Sequence, residues 1–269
     1  MPGSSRMINV DMAARPNSSF PTPGPRLDGS RPSLPKRTPA AESQKLVLFD
    51  IDGTLLSAGR AARESILAAL KIVFEWEGGG DGHDFSGKTD PQIVRELVAE
   101  SVGAAIFEER LAAALETYLE ELSRRLTPEL VVPKPGIAEL LARLAQEPGV
   151  TLALLTGNLE RGARLKLAPP DFNRYFAFGA FGSDSADRYC LPAVAVERAV
   201  RQTGRAFSGK SVVIVGDSVH DVLCGRSLGV RAVAVATGPT SPDRLAATQP
   251  DALLENFSDV ERGLEAILS

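Results

Sequence analysis

Leu46-Val-Leu-Phe-Asp50-Ile-Asp52-Gly-Thr54-Leu-Leu56 carries two carboxylates, two positions apart, into a glycine-led turn. The four apolar residues before Asp50 read as a buried parallel strand. Asp50 and Asp52 then fall at its C-terminal end, where open α/β sheets place their ligands. A nucleophile and a proton-transfer group could share one phosphate there. A strand that merely ends in an Asp-Gly turn, with Asp50 as its cap, gives the same local pattern.

Bulk composition narrows the choice. A chain of 269 residues holds one large domain or two smaller ones. With 43% hydrophobic and 6% aromatic residues it suits an α/β protein with a core of Leu, Val and Ala. The formal charge of −4 argues against a dedicated nucleic-acid binder, but not against a small anion held by a few local cations. No apolar run approaches the ~20 residues that span a bilayer, so no membrane partner is expected. Cys190 and Cys224 are the only cysteines. They form no metal-ligand cluster, and both are expected to be buried, reduced thiols. No secretory h-region opens the chain, and a cytoplasmic location is expected.

Outward from the first strand, residues 1–43 are rich in Pro, Ser and Arg. Six basic and three acidic side chains precede Lys45. Such a segment buries too little to offset its ordering entropy and reads as a flexible tail. After Thr54 come helical patterns at Gly59–Val73, from Asp90 (a cap for the helix that Pro91 begins) to Glu100, and at Ile106–Arg125. Between 58 and 132 there is almost no strand-like alternation, so this stretch reads as a helical insert. The core resumes at 133. Strands are expected at Val150–Leu155, Tyr175–Phe178, Ser211–Val215 and Val230–Val235. Helices are expected at Pro135–Leu144, from Glu160, at Leu191–Gln202 and at Val219–Leu228, with mostly helical sequence from Asp251 to Leu268. Strands that alternate with helices imply an α/β fold with a parallel sheet and right-handed crossovers.

Three of these strand ends carry complementary polar residues: Asp50 and Asp52; Thr156-Gly157-Asn158; and Gly216-Asp217-Ser218 with Asp221 four residues after Asp217. Several carboxylates together repel unless a cation offsets them. An oxygen-rich set without Cys or His favours Mg²⁺ over Zn²⁺. The spacing of Asp217 and Asp221 suggests one helix face. Thr156 is either a phosphoryl-oxygen donor or the N-cap of the following helix.

The motifs Asp50-Ile-Asp52-Gly-Thr54, Leu154-Leu-Thr156-Gly-Asn158 and Val215-Gly-Asp217-Ser-Val-His220-Asp221 resemble those of the haloacid dehalogenase superfamily, in its phosphatase branch, with a phosphoglycolate-phosphatase-like layout. The resemblance covers about residues 45 to 260. It implies a Rossmann-like parallel-sheet core (44–57 and 133–269) and a helical cap inserted after the first core strand (58–132), hinged near 54–58 and 131–135. It implies Mg²⁺-dependent hydrolysis of a small phosphorylated metabolite, with phosphoglycolate as a candidate. Asp50 would attack phosphorus and form an aspartyl-phosphate. Asp52 would protonate the leaving oxygen and later deprotonate water. Asp50, Asp217, Asp221 and the Asp52 backbone carbonyl would hold the metal. Gly53, Thr54, Gly157 and Asn158 would bind the substrate, with holding the loop as the alternative for Asn158. A phosphomutase of the same superfamily and a non-catalytic phosphate-binding module are the alternatives.

The superfamily's usual Lys before a Pro-containing helix is absent from Gly182-Ser-Asp184-Ser-Ala-Asp187-Arg188-Tyr-Cys-Leu-Pro192. Arg188 stands in its place, and its guanidinium can neutralise the same oxyanion. The alternative is a surface Arg paired with Asp184 or Asp187. Lys166 and Lys210 are substitutes that lie less well in chain order. In the insert, Lys88 of Gly87-Lys-Thr-Asp90 is the specificity candidate, with solvent exposure as its alternative. His83 and His220 read as a loop residue and a rim residue.

Overall fold

In the computed structural model the described residues are 44–269, so the expected tail lies outside them. β1 (Lys45–Phe49) is followed by β2 (Leu56–Ser57), then helices α1 (Ala61–Phe74), α2 (Asp90–Val102) and α3 (Ala104–Arg125), then β3 (Val132–Pro133). The remainder alternates: α4 (Ile137–Leu144), β4 (Val150–Leu155), α5 (Glu160–Leu167), β5 (Gly179–Ala180), α6 (Leu191–Thr203), β6 (Val212–Gly216), α7 (Val219–Cys224), β7 (Arg231–Val235), α8 (Pro242–Ala247), β8 (Ala252–Leu254) and α9 (Val260–Leu268).

The main sheet has the order β5-β4-β1-β6-β7-β8, with every pairing parallel. The period of two along a strand splits the side chains of β1 between its faces. Val47 and Phe49 pack with Leu140 and Leu144 of α4, Leu167 of α5 and Leu264 and Ile267 of α9. Leu46 and Leu48 pack with Leu191, Ala195 and Ala199 of α6. Burial on both faces explains why β1 reads as an unbroken apolar run. Chain order reverses at β1, since β4 and β5 lie on one side and β6, β7 and β8 on the other. That reversal opens a crevice at the C-terminal strand ends.

The region between β2 and β3 is an inserted set of helices with its own core, including Ile66, Leu70, Val98, Phe107 and Leu122. The chain enters and leaves it side by side, because β2 and β3 pair antiparallel, Leu56 with Pro133 and Ser57 with Val132.

Several local expectations need correction. Phe172–Tyr175 is a 3-10 turn and the strand comes later, at Gly179–Ala180. Burial of Phe172 and Phe176 in the core favours a turn over a pleated segment. The helix from Val219 stops at Cys224, and a 3-10 turn at Arg226–Leu228 ends in left-handed Gly229. The closing segment is not wholly helical, for Ala252–Leu254 adds an edge strand beside β7. Cys224 is buried as expected, but Cys190 is exposed. Among the described residues no helix is long and apolar enough to cross a membrane.

Candidate active site

The C-terminal ends of β4, β1 and β6 are neighbours in the sheet, which sets Thr156, Asp50 and Asp217 side by side. Asp50, Asp217 and Asp221 are buried, and one carboxylate oxygen from each lies within 4.8 Å of the others. Gly53 makes this approach feasible. Its φ of +92° turns the chain, and a Cβ there would collide with the Asp217 carboxylate. Thr54 Oγ1 donates to Asp217 Oδ1 at 3.0 Å.

Asp217 lies before the helix and does not share a helix face with Asp221. Ser218 is the N-cap of α7, and its backbone N–H donates to Asp221 Oδ2 at 2.9 Å in a capping box. The capping box aims Asp221 back toward the strand ends.

Arg188 is buried among these acids. Its Nη2 donates to Asp50 Oδ1 at 3.0 Å and also to Asp221 Oδ1, while its Nε has no hydrogen-bond partner. Surface pairing of Arg188 is therefore excluded. Asp184 instead binds Arg198, and Asp187 caps the turn at Tyr189. Burial alone would lower the Arg188 pKa, but the Asp221 and Asp50 charges hold it above its ordinary value. Burial, reinforced by the Asp221 charge, pushes Asp50 up to about 7, with Arg188 opposing. Burial and the Asp50 and Asp221 charges raise Asp217 well above the usual carboxylate range. Buried oxygen donors that resist ionisation together are a donor set for a hard divalent cation, and Mg²⁺ fits.

A cavity of about 420 Å³ opens over this cluster. Asp50, Asp52, Gly53, Thr156, Gly157, Asn158, Lys88, Arg188 and Asp217 line it, with Thr54 and Asp221 behind the wall. Asp52 is 42% exposed, so its carboxylate faces the opening rather than the acidic cluster. Thr156 does not cap α5. The cap position is Leu159, whose N–H donates to Asp90 Oδ2 at 2.8 Å. Nor does Asp90 cap α2, since the Thr89 hydroxyl accepts from Gln92 there.

Asp90 thus docks the insert on the core. Its N–H donates to Gly157 O at 2.8 Å, and the Thr89 hydroxyl donates to Ala186 O at 2.7 Å. Burial pushes Asp90 up to about 6, against the opposing charge of Lys166. Lys88 is paired with Glu96 at 2.5 Å, and Glu96 also lies 3.3 Å from His83. His220 lies in α7 with its ring edge-on to Tyr189. The sequence offers Lys166 only as a stand-in for Arg188. The one available signal was a lysine on the apolar i, i+3, i+4 face shared with Ala163 and Leu167, all buried here.

The haloacid dehalogenase-like hydrolase family model matches residues 44–229, more than half of the chain. The chain belongs to that family. Probable phosphatase IndB of Dickeya dadantii is 25% identical over 236 residues, covering 83% of this chain and 94% of that protein. Phosphoglycolate phosphatase 1 of Pseudomonas aeruginosa is 28% identical over 232 residues, covering 82% and 80%. The crystal structure of a hydrolase from Pseudomonas syringae shares the fold at a TM-score of 0.63 and 19% identity, covering 84% and 100%.

In this haloacid dehalogenase-like hydrolase the raised Asp50 ties stability to pH when metal is withheld. The ordinary Asp value is 3.8 and folded Asp50 sits at about 7. Between those values the folded state binds more protons than the unfolded state. The stability from this group is fully present below the lower value and is lost as pH rises through the upper one. Chelated protein is expected to melt at a lower temperature near pH 8 than near pH 6, the Asp50 contribution falling by about 1 kcal/mol over that interval, with Mg²⁺ reducing the loss. Calorimetry with chelator and with Mg²⁺ checks this. A chelated protein that melts higher near pH 8 contradicts it.

Proposed function

We propose that this protein hydrolyses a small phosphomonoester with Mg²⁺ through an aspartyl-phosphate on Asp50. The observation that carries the reading is the convergence, at three adjacent strand ends and the turns and helix beside them, of a buried acidic cluster, an arginine and a hydroxyl beneath one cavity. Asp50, Asp217 and Asp221, with the Asp52 backbone carbonyl, would hold the metal. When bound, Mg²⁺ neutralises the acids and withdraws charge from the phosphoryl group.

The chain's own residues do the rest. Asp50 attacks phosphorus, which divides one hard hydrolysis into two transfers. Asp52 protonates the leaving oxygen, and later takes a proton from the attacking water. Arg188, with a spare buried N–H, and the Thr156 hydroxyl hold the phosphoryl oxygens. Gly53, Thr54, Gly157 and Asn158 shape the loops that carry these groups. Residues 58–132 act as a cap, hinged at the β2–β3 pair, and its closure excludes water. The two phosphatase-named relatives support this reading, and phosphoglycolate is a first substrate to try.

The test is phosphate release from phosphoglycolate, sugar phosphates and nucleoside monophosphates, with Mg²⁺ and with chelator. Metal-dependent release from one compound supports the reading. Isomerised product without free phosphate points to a mutase, and no product from any compound counts against catalysis of this kind. Lys88 is the proposed specificity residue, and an anionic substrate group would have to compete with Glu96 for it. Lys88→Ala is expected to change the ratio of catalytic efficiencies between anionic and neutral leaving groups by about 10-fold, on the scale of one surface-accessible charge contact. Unchanged ratios across the panel reject that role.

A further inference from the structure

Asp52 is held in an asymmetric way. Lys166 Nζ donates to Asp52 Oδ2 at 2.7 Å, and Asn158 Nδ2 donates to the same oxygen at 2.7 Å. Among the described residues no donor reaches Oδ1. The anchors are themselves fixed: Lys166 Nζ donates to Asn158 Oδ1 at 2.6 Å, and Asn158 Nδ2 also reaches Thr156 Oγ1 at 2.8 Å. Lys166 is only 2% exposed and sits in the last turn of α5, as part of the cavity wall.

An ammonium group donates and cannot accept, and an amide NH₂ also only donates. Oδ2 therefore faces two donors and has no acceptor within reach for a proton of its own. A proton on Asp52 belongs on Oδ1, the oxygen left unpartnered on a side chain that faces the cavity. We propose that Lys166 is a positioning residue that, with Asn158, saturates Asp52 Oδ2 and so assigns Oδ1 as the oxygen that exchanges protons with the leaving group and the attacking water.

This rests on the phosphatase reading above. As an Asp50 oxygen bonds to phosphorus, the bond from phosphorus to the leaving oxygen breaks and its electron pair stays on that oxygen. The Oδ1 proton moves there, and Asp52 becomes a carboxylate whose new charge Lys166 offsets. Water then attacks phosphorus, gives one proton back to Oδ1, and releases phosphate and the Asp50 carboxylate. Lys166 touches no reacting atom in this scheme. Arg188 and Lys166 thereby divide two tasks, one on the phosphoryl side and one on the leaving-group side.

The test separates esters by how much they need the proton. An alkoxide requires protonation to depart, whereas 4-nitrophenolate leaves as the anion. Wild type, Lys166→Met and Asn158→Ala are compared on 4-nitrophenyl phosphate and on the alkyl phosphate that wild type turns over best, with Mg²⁺ throughout. A positioned acid contributes about 10²–10⁴-fold, so Lys166→Met is expected to lose about 10²-fold in kcat on the alkyl ester, and at least 10-fold less on the aryl ester. A purely structural role would lower both together. Equal losses on the two esters, or no loss, overturn the proposal. If Lys166→Met shows no cooperative melt, Asn158→Ala decides, with the same selective loss expected and equal losses overturning it. A wild type that releases no phosphate from either ester overturns the phosphatase reading and this inference with it.

Discussion

Asp50→Asn is expected to abolish phosphate release, by about 10⁴-fold or more, while the folded chain survives. The amide keeps the size of the side chain but is a far weaker nucleophile than a carboxylate. The site also raises the cost of holding the carboxylate, since burial and the Asp221 charge push Asp50 up to about 7. Removal of that charge relieves repulsion in the metal-free cluster of Asp50, Asp217 and Asp221. Chelated Asp50→Asn protein is therefore expected to melt at or above the wild-type temperature near pH 8. Arg188 loses one acidic partner but keeps Asp221, so the cluster retains its counter-charge. Mg²⁺ should stabilise the variant less than wild type, since one of its oxygen donors is weakened. Activity and paired melts with and without Mg²⁺ read all three effects. Full turnover in this variant would remove Asp50 from the mechanism.

The contrast between legible and hidden features follows from distance along the chain. The apolar runs of β1 and β6 declare central strands because both of their faces are buried, so no polar residue interrupts them. The edge strands Gly179–Ala180 and Ala252–Leu254 are two and three residues long, too short for any period to show. In the same way, Asp50, Asp52, Thr156 and Asp217 announce themselves because each directly follows a readable strand. Arg188 could be placed by chain order alone, ahead of the Pro192 helix. The Lys166–Asp52 contact spans 114 positions and the Asp90–Leu159 contact spans 69. Neither has a local pattern, because each exists only once α5 packs on the sheet and α2 docks on the β4 loop. Asp90 gives up its expected place as the cap of α2 for that reason. Asp90, drawn to a bare helix N-terminus across the insert boundary, leaves Thr89 to cap α2.

Arg188→Ala is expected to cost both catalysis and stability, whereas Asp50→Asn costs only the first. Among the described residues the Arg188 guanidinium is the one cation that bridges Asp50 and Asp221. Its loss leaves buried acids without their counter-charge, a change that typically destabilises by about 3–5 kcal/mol. Asp217, already raised well above the usual carboxylate range by burial and its acidic neighbours, would be pushed further in the same direction. The damage should be greatest in chelated protein above about pH 7, where the acids must ionise, and smallest with saturating Mg²⁺, which supplies charge to the same oxygens. Catalytic efficiency should fall by about 10²–10³-fold, the usual loss for one donor to a developing phosphoryl or oxyanion charge. Arg188→Lys should recover much of the stability but less of the rate. An ammonium can replace the single guanidinium nitrogen that meets Asp50 and Asp221, but it offers no second nitrogen such as Nε to hold free for substrate. Melting curves at two pH values and kcat/KM for both variants separate these outcomes. Unchanged efficiency in Arg188→Ala would reassign the phosphoryl contact to another cation. Lys166 is one alternative on the cavity wall, but it is already bound to Asp52 and Asn158.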